Sequence, residues 1–138
     1  MSILEHSLDL GLESVCIFED DAILCDNFIE ELNLVMNELP DDWDGLHLAG
    51  YSQPSSLKNF SARLYKAYAT WGGYGYIVNK RVIPKLIETI KQEKTQVDTY
   101  YARLMPQLNW YKSKLMLVKH PPNFSTIQQK WVDYKNLY

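Results

Sequence analysis

The sequence predicts a single α/β domain spanning residues 1–138. A chain of 138 residues fits one ordinary domain. Hydrophobic residues make up 46% and charged residues 22% of it, which is typical of a globular protein and excludes a disordered chain. Short apolar runs of strand length intermix with longer stretches in which apolar residues recur every three or four positions. This alternation of strand and helix patterns is typical of an α/β fold.

Charge and cysteine content narrow the function classes. Fourteen basic and seventeen acidic side chains give a net charge of −3, which argues against a partner that needs clustered Lys and Arg, such as nucleic acid. Cys16 and Cys25 are predicted to be two reduced thiols. The sequence has neither a signal-peptide pattern nor an apolar run of the ~20 residues that span a bilayer. We therefore expect a cytoplasmic protein. Any association with a membrane would be peripheral, at its inner face.

In the first third of the chain the patterns predict helix, strand and helix. Residues 4–12 carry apolar side chains mostly on one helical face. Residues 15–18 form an apolar run bounded by charge on both sides, which indicates a short buried strand. A second amphipathic helix is predicted over residues 28–39, with a capping box formed by Asn27 and Glu30.

Residues 43–50 alternate and predict a second strand, and the Ser-, Pro- and Asn-rich residues 51–61 predict a surface loop. Residues 63–70 alternate again and predict a third strand. The glycine-rich residues 71–75 predict a turn that leads into a short strand at 76–78.

The remaining elements follow the same logic. A helix begins near Lys80, with Pro84 in its first turn, where a missing N–H costs least. Another helix is predicted over residues 98–108, and a last strand over residues 115–118.

The clearest chemical feature is the run Glu19-Asp20-Asp21 at the end of the first strand. Side chains alternate along an extended segment, so Glu19 and Asp21 point to one side and Asp20 to the other. Two converging carboxylates repel each other unless a cation lies between them. Hard oxygen ligands suit Mg²⁺ or Mn²⁺. The alternative is a solvated acidic turn before the next helix.

Two other groups carry weaker signals. Asp98 opens a helix, where it could be a general base or simply an N-cap. Gly72 and Gly73 could let a ligand approach the backbone closely, and Trp71 and Tyr74 could stack on a sugar. The alternative is a tight turn flanked by core aromatic residues.

The order of these motifs resembles a known family. VCIFEDDAIL at residues 15–24, a helix opening at Phe28 and WDGLHL at residues 43–48 are similar to the core of the family 25 glycosyltransferases. These enzymes act in lipopolysaccharide biosynthesis, and their relatives galactosylate collagen. The glycine-rich segment that enters a Tyr-Ile strand at residues 72–78, the helix after it and the Val-Asp pair at 97–98 match further family features in the same order.

The resemblance implies a fold and a set of site residues. The fold would be a truncated GT-A-like, Rossmann-like three-layer domain with a mixed sheet, representing the C-terminal two thirds of the family fold. Glu19 and Asp21 would hold Mn²⁺ or Mg²⁺ against the diphosphate of a sugar nucleotide, and Asp98 would be the catalytic base. His120 would complete the metal shell, with a surface histidine as the alternative. The implied substrate-binding residues are Asp20, Trp71, Gly72, Gly73 and Tyr74.

The implied reaction is transfer of a hexose such as galactose from a UDP-sugar to a glycan or lipopolysaccharide acceptor. Two alternatives stay open. One is a catalytically inactive or partial glycosyltransferase-like module that binds carbohydrate or a protein, and the other is a Mg²⁺-dependent phosphate hydrolase that uses the same acids. Family members carry a nucleotide-binding segment before the acidic strand, whereas 18 residues precede Glu19 here. We therefore expect weak donor binding, and self-association through an exposed edge at residues 15–18.

Overall fold

The computed structural model describes residues 2–92, 95–125 and 130–132. These residues form four α-helices and ten strands, together with two short 3₁₀ segments at Pro54–Ser56 and Met105–Gln107. In chain order the elements are α1 (Ile3–Asp9), β1 (Ser14–Phe18), β2 (Ile23–Leu24), α2 (Phe28–Met36), β3 (Gly45–His47), β4 (Leu57–Asn59), β5 (Leu64–Ala67), β6 (Gly75–Asn79), α3 (Ile83–Gln92), α4 (Val97–Leu104), β7 (Trp110–Ser113), β8 (Val118–Lys119), β9 (Asn123–Ser125) and β10 (Lys130–Val132).

Six strands form one mixed sheet in the order β1-β6-β3-β7-β5-β4. β3 and β7 run parallel, whereas the other neighbours in this sheet are antiparallel. Two small antiparallel ladders, β2 with β8 and β9 with β10, lie outside it. This mixed sheet with its helices confirms the predicted Rossmann-like α/β class. Within the described ranges, no helix is long and apolar enough to cross a membrane.

The sheet separates two apolar clusters, which gives the domain its layers. On one face α3 and α4 bury Ile83, Leu86 and Tyr100 against Val78 and Trp110 of the sheet. The other face contains a second cluster, formed around α2 by Val35, Leu46, Leu48, Leu64, Ile77 and Tyr111. Successive side chains of a strand point to opposite faces, so one strand can supply both clusters, as β7 does with Trp110 and Tyr111.

The two N-terminal helices begin differently. Ser2 caps α1: its side chain accepts from the Glu5 N–H, and the Glu5 side chain accepts from the Ser2 N–H, which is a complete capping box. The capping box predicted at Asn27 and Glu30 is wrong. Asn27 has a left-handed backbone (φ 56°), and its side chain makes no capping hydrogen bond to α2.

Three sequence predictions need correction. The predicted loop at 51–61 contains β4, and the predicted helix at 98–108 ends earlier and continues into a 3₁₀ turn. The strand β7 was not predicted, although it lies inside the sheet. The last predicted strand, 115–118, is only Val118–Lys119. Short strands of mixed polarity such as WYKS carry little period-2 signal, and their neighbours across the sheet decide their conformation.

Asp44 joins the start of β3 to its surroundings. Its carboxylate accepts from the Asn109 N–H at 2.7 Å and from Arg81 Nε at 2.8 Å, and the residue is buried. The next residue must be glycine, because a Cβ on Gly45 would lie 2.5 Å from the Trp110 ring. The Trp-Asp-Gly sequence therefore has a structural role: it positions β3 against β7.

His47 is fully buried between aromatic rings. Its Nδ1 accepts from the Trp110 indole N–H at 2.8 Å, and its ring stacks on Tyr76 with 5.9 Å between centroids. Burial lowers the pKa of His47 to about 3, helped by the positive charge of Lys112. The imidazole is therefore neutral at physiological pH.

This low pKa predicts that acid destabilises the fold through His47. The unfolded chain takes up a proton near pH 6.5, whereas folded His47 does so near pH 3, so this contribution to stability is complete above pH 6.5 and is lost as pH falls below it. The loss is about 1.4 kcal/mol per pH unit. Urea unfolding at pH 7 and pH 5 should show a smaller pH dependence in His47→Gln than in wild type. His6→Gln, at an exposed position, is the control; an unchanged slope in His47→Gln would contradict the assignment.

Candidate functional site

A group of metal-ligand side chains lies at the end of β1. One ligand atom from each of Glu19, Asp21 and His120 lies within 4.8 Å of the others. The backbone explains this convergence: the chain turns after β1 and enters β2, which pairs with β8 so that Ile23 lies opposite Lys119. The residues just before β2 and just after β8 are thereby brought together. We call Glu19, Asp21 and His120 the acidic cluster.

Direct contacts hold the histidine side of the acidic cluster. His120 Nε2 lies 3.1 Å from Asp21 Oδ2, and the two side chains are 11% and 28% exposed. The ring of Tyr74 packs against His120 with 5.1 Å between centroids. His120 is therefore held between Asp21 and a buried aromatic ring, and the alternative of a solvent-exposed surface histidine is wrong.

The electrostatics around the acidic cluster disfavour a charged carboxylate at Glu19. Desolvation raises the pKa of Glu19, and repulsion from Asp21, Asp98 and Asp20 raises it further, while His120 acts in the opposite direction. Glu19 as a residue is exposed, but its carboxylate lies among these acids. A bound cation would relieve this repulsion, so the pKa shift and the geometry point the same way.

The glycine-rich segment 71–74 runs alongside the acidic cluster. Its Tyr74 carbonyl accepts from the Glu19 N–H at 3.2 Å, and Trp71 exchanges two backbone hydrogen bonds of 2.8 Å with Tyr51. Gly72 has φ +91°, and a Cβ there would lie 2.8 Å from the Tyr74 ring. A Cβ on Gly73 would lie 3.5 Å from Glu19 Oε1, so Gly73 leaves space beside that carboxylate.

Asp98 joins α4 to this segment. Its Oδ2 accepts from the Gly72 N–H at 3.2 Å, whereas its Oδ1 is buried and has no hydrogen-bond partner among the described residues. The N-cap alternative is wrong, because Gln96 is the N-cap of α4 and Asp98 lies within its first turn. Repulsion from Asp98 also contributes to the raised pKa of Glu19.

The remaining predicted substrate residues differ in accessibility. Tyr74 is only 6% exposed, and its ring is occupied by contacts within the domain. Trp71 is partly exposed. Asp20 is exposed and does not belong to the ligand group. A sugar could therefore contact Trp71 and Asp20. Tyr74 is buried and packs against His120, so it holds the histidine in place.

An apolar cavity of about 320 Å³ lies between β1, α1, α3 and α4. Ile17, two residues before Glu19, lines it, and so does Val97, the residue before Asp98. Its other lining residues come from α1, α3 and the two tyrosines Tyr76 and Tyr101, whose hydroxyls lie 3.4 Å apart. The sequence reasoning missed Tyr101; its spacing of three from Asp98 on one helix was the available signal.

The donor set suits a hard or borderline divalent cation. Two carboxylates and one imidazole offer two oxygen ligands and one nitrogen ligand, and such a set leaves coordination positions for water or phosphate. Imidazole binds transition metals better than Mg²⁺, so the set favours Mn²⁺. The residues present therefore fit the predicted cofactor.

Comparison with known proteins adds no family assignment: no protein-family model matches the chain, and no curated protein matches it. The functional argument therefore rests on the acidic cluster and its neighbours.

The glycine segment yields a paired prediction. Gly72→Ala should lower the free energy of unfolding by about 1–3 kcal/mol, because a Cβ at φ +91° is strained and meets Tyr74. Gly73→Ala is the matched control and should leave stability nearly unchanged, since its Cβ makes only ordinary contacts. Urea unfolding of both variants measures the difference. Equal losses in the two variants would contradict the distinction between these neighbouring glycines.

Proposed function

We propose that this domain is a metal-dependent glycosyltransferase of the family 25 type. It would transfer a hexose, for example galactose, from a UDP-sugar to a glycan or lipopolysaccharide acceptor. The observation that carries this proposal is the convergence of Glu19, Asp21 and His120 at the end of a sheet strand. The ordered motifs of the sequence support it, because Glu19 and Asp21 occupy the positions that the family resemblance assigns to metal binding.

Each residue has a chemical role in the proposed reaction. Glu19, Asp21 and His120 would hold Mn²⁺ or Mg²⁺, which when bound neutralises the charge that develops on the leaving nucleoside diphosphate. Asp98 would take the proton of the acceptor hydroxyl. Its Oδ2 is fixed by the Gly72 N–H, so Oδ1 remains to accept that proton.

Several surrounding features fit a substrate with a phosphate and a ring. Gly73 leaves space beside Glu19, and the partly exposed Trp71 offers a face on which a sugar could stack. The apolar cavity lined by Ile17, Tyr76 and Val97 has room for a ring of the donor or the acceptor. Synthesis of a lipopolysaccharide-type glycan would place the domain in the cytoplasm, peripherally at the inner face of the membrane.

Cation binding is the first test of the proposal. Titration of Mn²⁺ into the protein, followed by calorimetry, should show one site, and Asp21→Asn or Glu19→Gln should weaken binding at least ~10-fold by removing a charged ligand. Asp20→Asn is the matched control and should bind like wild type, because Asp20 lies outside the ligand group. Affinity should fall as pH is lowered, because the raised pKa of Glu19 lets protons compete with the cation.

The imidazole gives this test a second readout. Wild type should prefer Mn²⁺ over Mg²⁺, and His120→Asn should reduce that preference by replacing the nitrogen ligand with an oxygen ligand. Equal Mn²⁺ binding in wild type, Asp21→Asn and Glu19→Gln would show that the acidic cluster does not hold the cation.

Donor binding and transfer form the next test. With Mn²⁺ present, calorimetry against a series of UDP-sugars should detect binding to wild type, and Asp98→Asn should keep donor binding while losing at least ~100-fold in transfer rate. An Asp98→Asn variant that transfers as fast as wild type would remove Asp98 from the mechanism.

The alternatives give different results in the same experiment. No heat with any nucleotide sugar, combined with retained binding to a glycan array, would favour the inactive carbohydrate-binding module. Release of phosphate from a generic phosphomonoester, lost in Asp21→Asn, would favour the Mg²⁺-dependent hydrolase.

A further inference from the structure

β1 lies at one end of the six-stranded sheet, and β6 is its neighbour on one side. The pairing between them identifies which backbone groups of β1 point outward. Lys80 N–H donates to the Glu13 carbonyl, and Glu19 N–H donates to the Tyr74 carbonyl, so odd-numbered residues of this segment bond to β6. In an antiparallel ladder the alternate residues direct their N–H and C=O groups away from that neighbour. Those residues are Ser14, Cys16 and Phe18.

The opposite edge of the sheet is protected, whereas β1 has no such protection among the residues that the structure describes. β4 has only three residues, carries Lys58 at its centre and follows the 3₁₀ turn at Pro54–Ser56, all of which discourage strand addition. β1 has five residues, SVCIF, and contains neither a charged residue nor a proline. Cys16 and Phe18 are exposed and lie on one face of this strand. β1 therefore offers an uncharged template for another strand.

We propose that β1 pairs antiparallel with β1 of a second copy of this chain, about a two-fold axis at Cys16. In this register Cys16 lies opposite Cys16, and Ser14 lies opposite Phe18 of the other copy. All three facing pairs then join residues whose backbone groups point outward, so each pair can exchange two hydrogen bonds. The strand is complementary to itself in this register, which gives the longest overlap of Ser14–Phe18 with its copy.

Charges at the two ends of the shared ladder limit its strength. The same register brings Glu13 opposite Glu19 of the second copy, but Glu13 is ion-paired with Lys80 within its own domain. Salt screens the repulsion that remains between these glutamates, so the two copies should associate more tightly at higher ionic strength. This dependence distinguishes the pairing from an interface held by opposite charges, which salt would weaken.

The proximity of the two Cys16 residues provides a direct test. Facing residues of a hydrogen-bonded antiparallel pair have Cα atoms about 5.5 Å apart, within the range that a disulfide spans. Wild type at micromolar concentration, treated with copper phenanthroline, should form a covalent dimer on a non-reducing gel. Cys25→Ser should keep this product and Cys16→Ser should lose it.

Sedimentation equilibrium tests the association without oxidation. Wild type and Cys16→Ser should be dimers. Cys16→Lys, which places two ammonium groups opposite each other, should raise the dimer dissociation constant at least ~10-fold. Cys16→Pro removes an outward N–H donor while leaving the hydrogen bonds of the odd-numbered residues to β6 available, and it should have a similar effect. Circular dichroism verifies that both variants fold.

Two outcomes would overturn the proposal. One is a wild-type monomer without Cys16 cross-linking at micromolar concentration. The other is a dimer that folded Cys16→Lys and Cys16→Pro variants retain in full. These measurements are made without added metal or substrate, so they test the edge separately from the proposed reaction.

Discussion

The candidate site depends on a backbone ladder of two residue pairs. Ile23 and Leu24 pair with Lys119 and Val118, and the Cys25 N–H extends the ladder by donating to the Leu117 carbonyl at 2.9 Å. This small ladder holds the turn after β1 against the segment that carries His120. Without it, the repulsion between the carboxylates of Glu19 and Asp21 would separate them. Each backbone hydrogen bond contributes only about 1 kcal/mol, so buried neighbours such as Val118 must add to its stability.

The acidic cluster and the glycine segment form one connected arrangement. Gly73 leaves space beside the Glu19 carboxylate, and the Gly72 N–H donates to Asp98. The ring of Tyr74 packs against His120. These contacts link the glycine segment to separate parts of the fold. The side chains of the site are therefore held more firmly than isolated acidic and imidazole groups on a surface would be. Such support is what a site needs to hold charged ligands at fixed distances.

Sequence patterns predicted the fold class and the two carboxylates of the acidic cluster better than they predicted the strands. The strong signals were local: VCIFEDD places apolar residues before acids, and α3 follows a helical period. β7 escaped prediction because WYKS is short and becomes a strand only through its neighbours β3 and β5. The Asn27 cap failed because a left-handed backbone cannot be read from residue type alone. The approach of His120 to Asp21 is likewise a tertiary contact, which local sequence patterns cannot predict.

The position of β7 in the sheet has a consequence for how the chain acquires its structure. β7 lies between β3 and β5, yet it follows both α3 and α4 in the sequence, and its pairing joins Gly45 to Trp110. The centre of the sheet therefore stays open until Trp110–Ser113 has left the ribosome. Contacts this distant along the chain slow folding and leave apolar strands exposed in the meantime. Nascent chains of this protein should consequently need chaperone protection until the segment after α4 emerges.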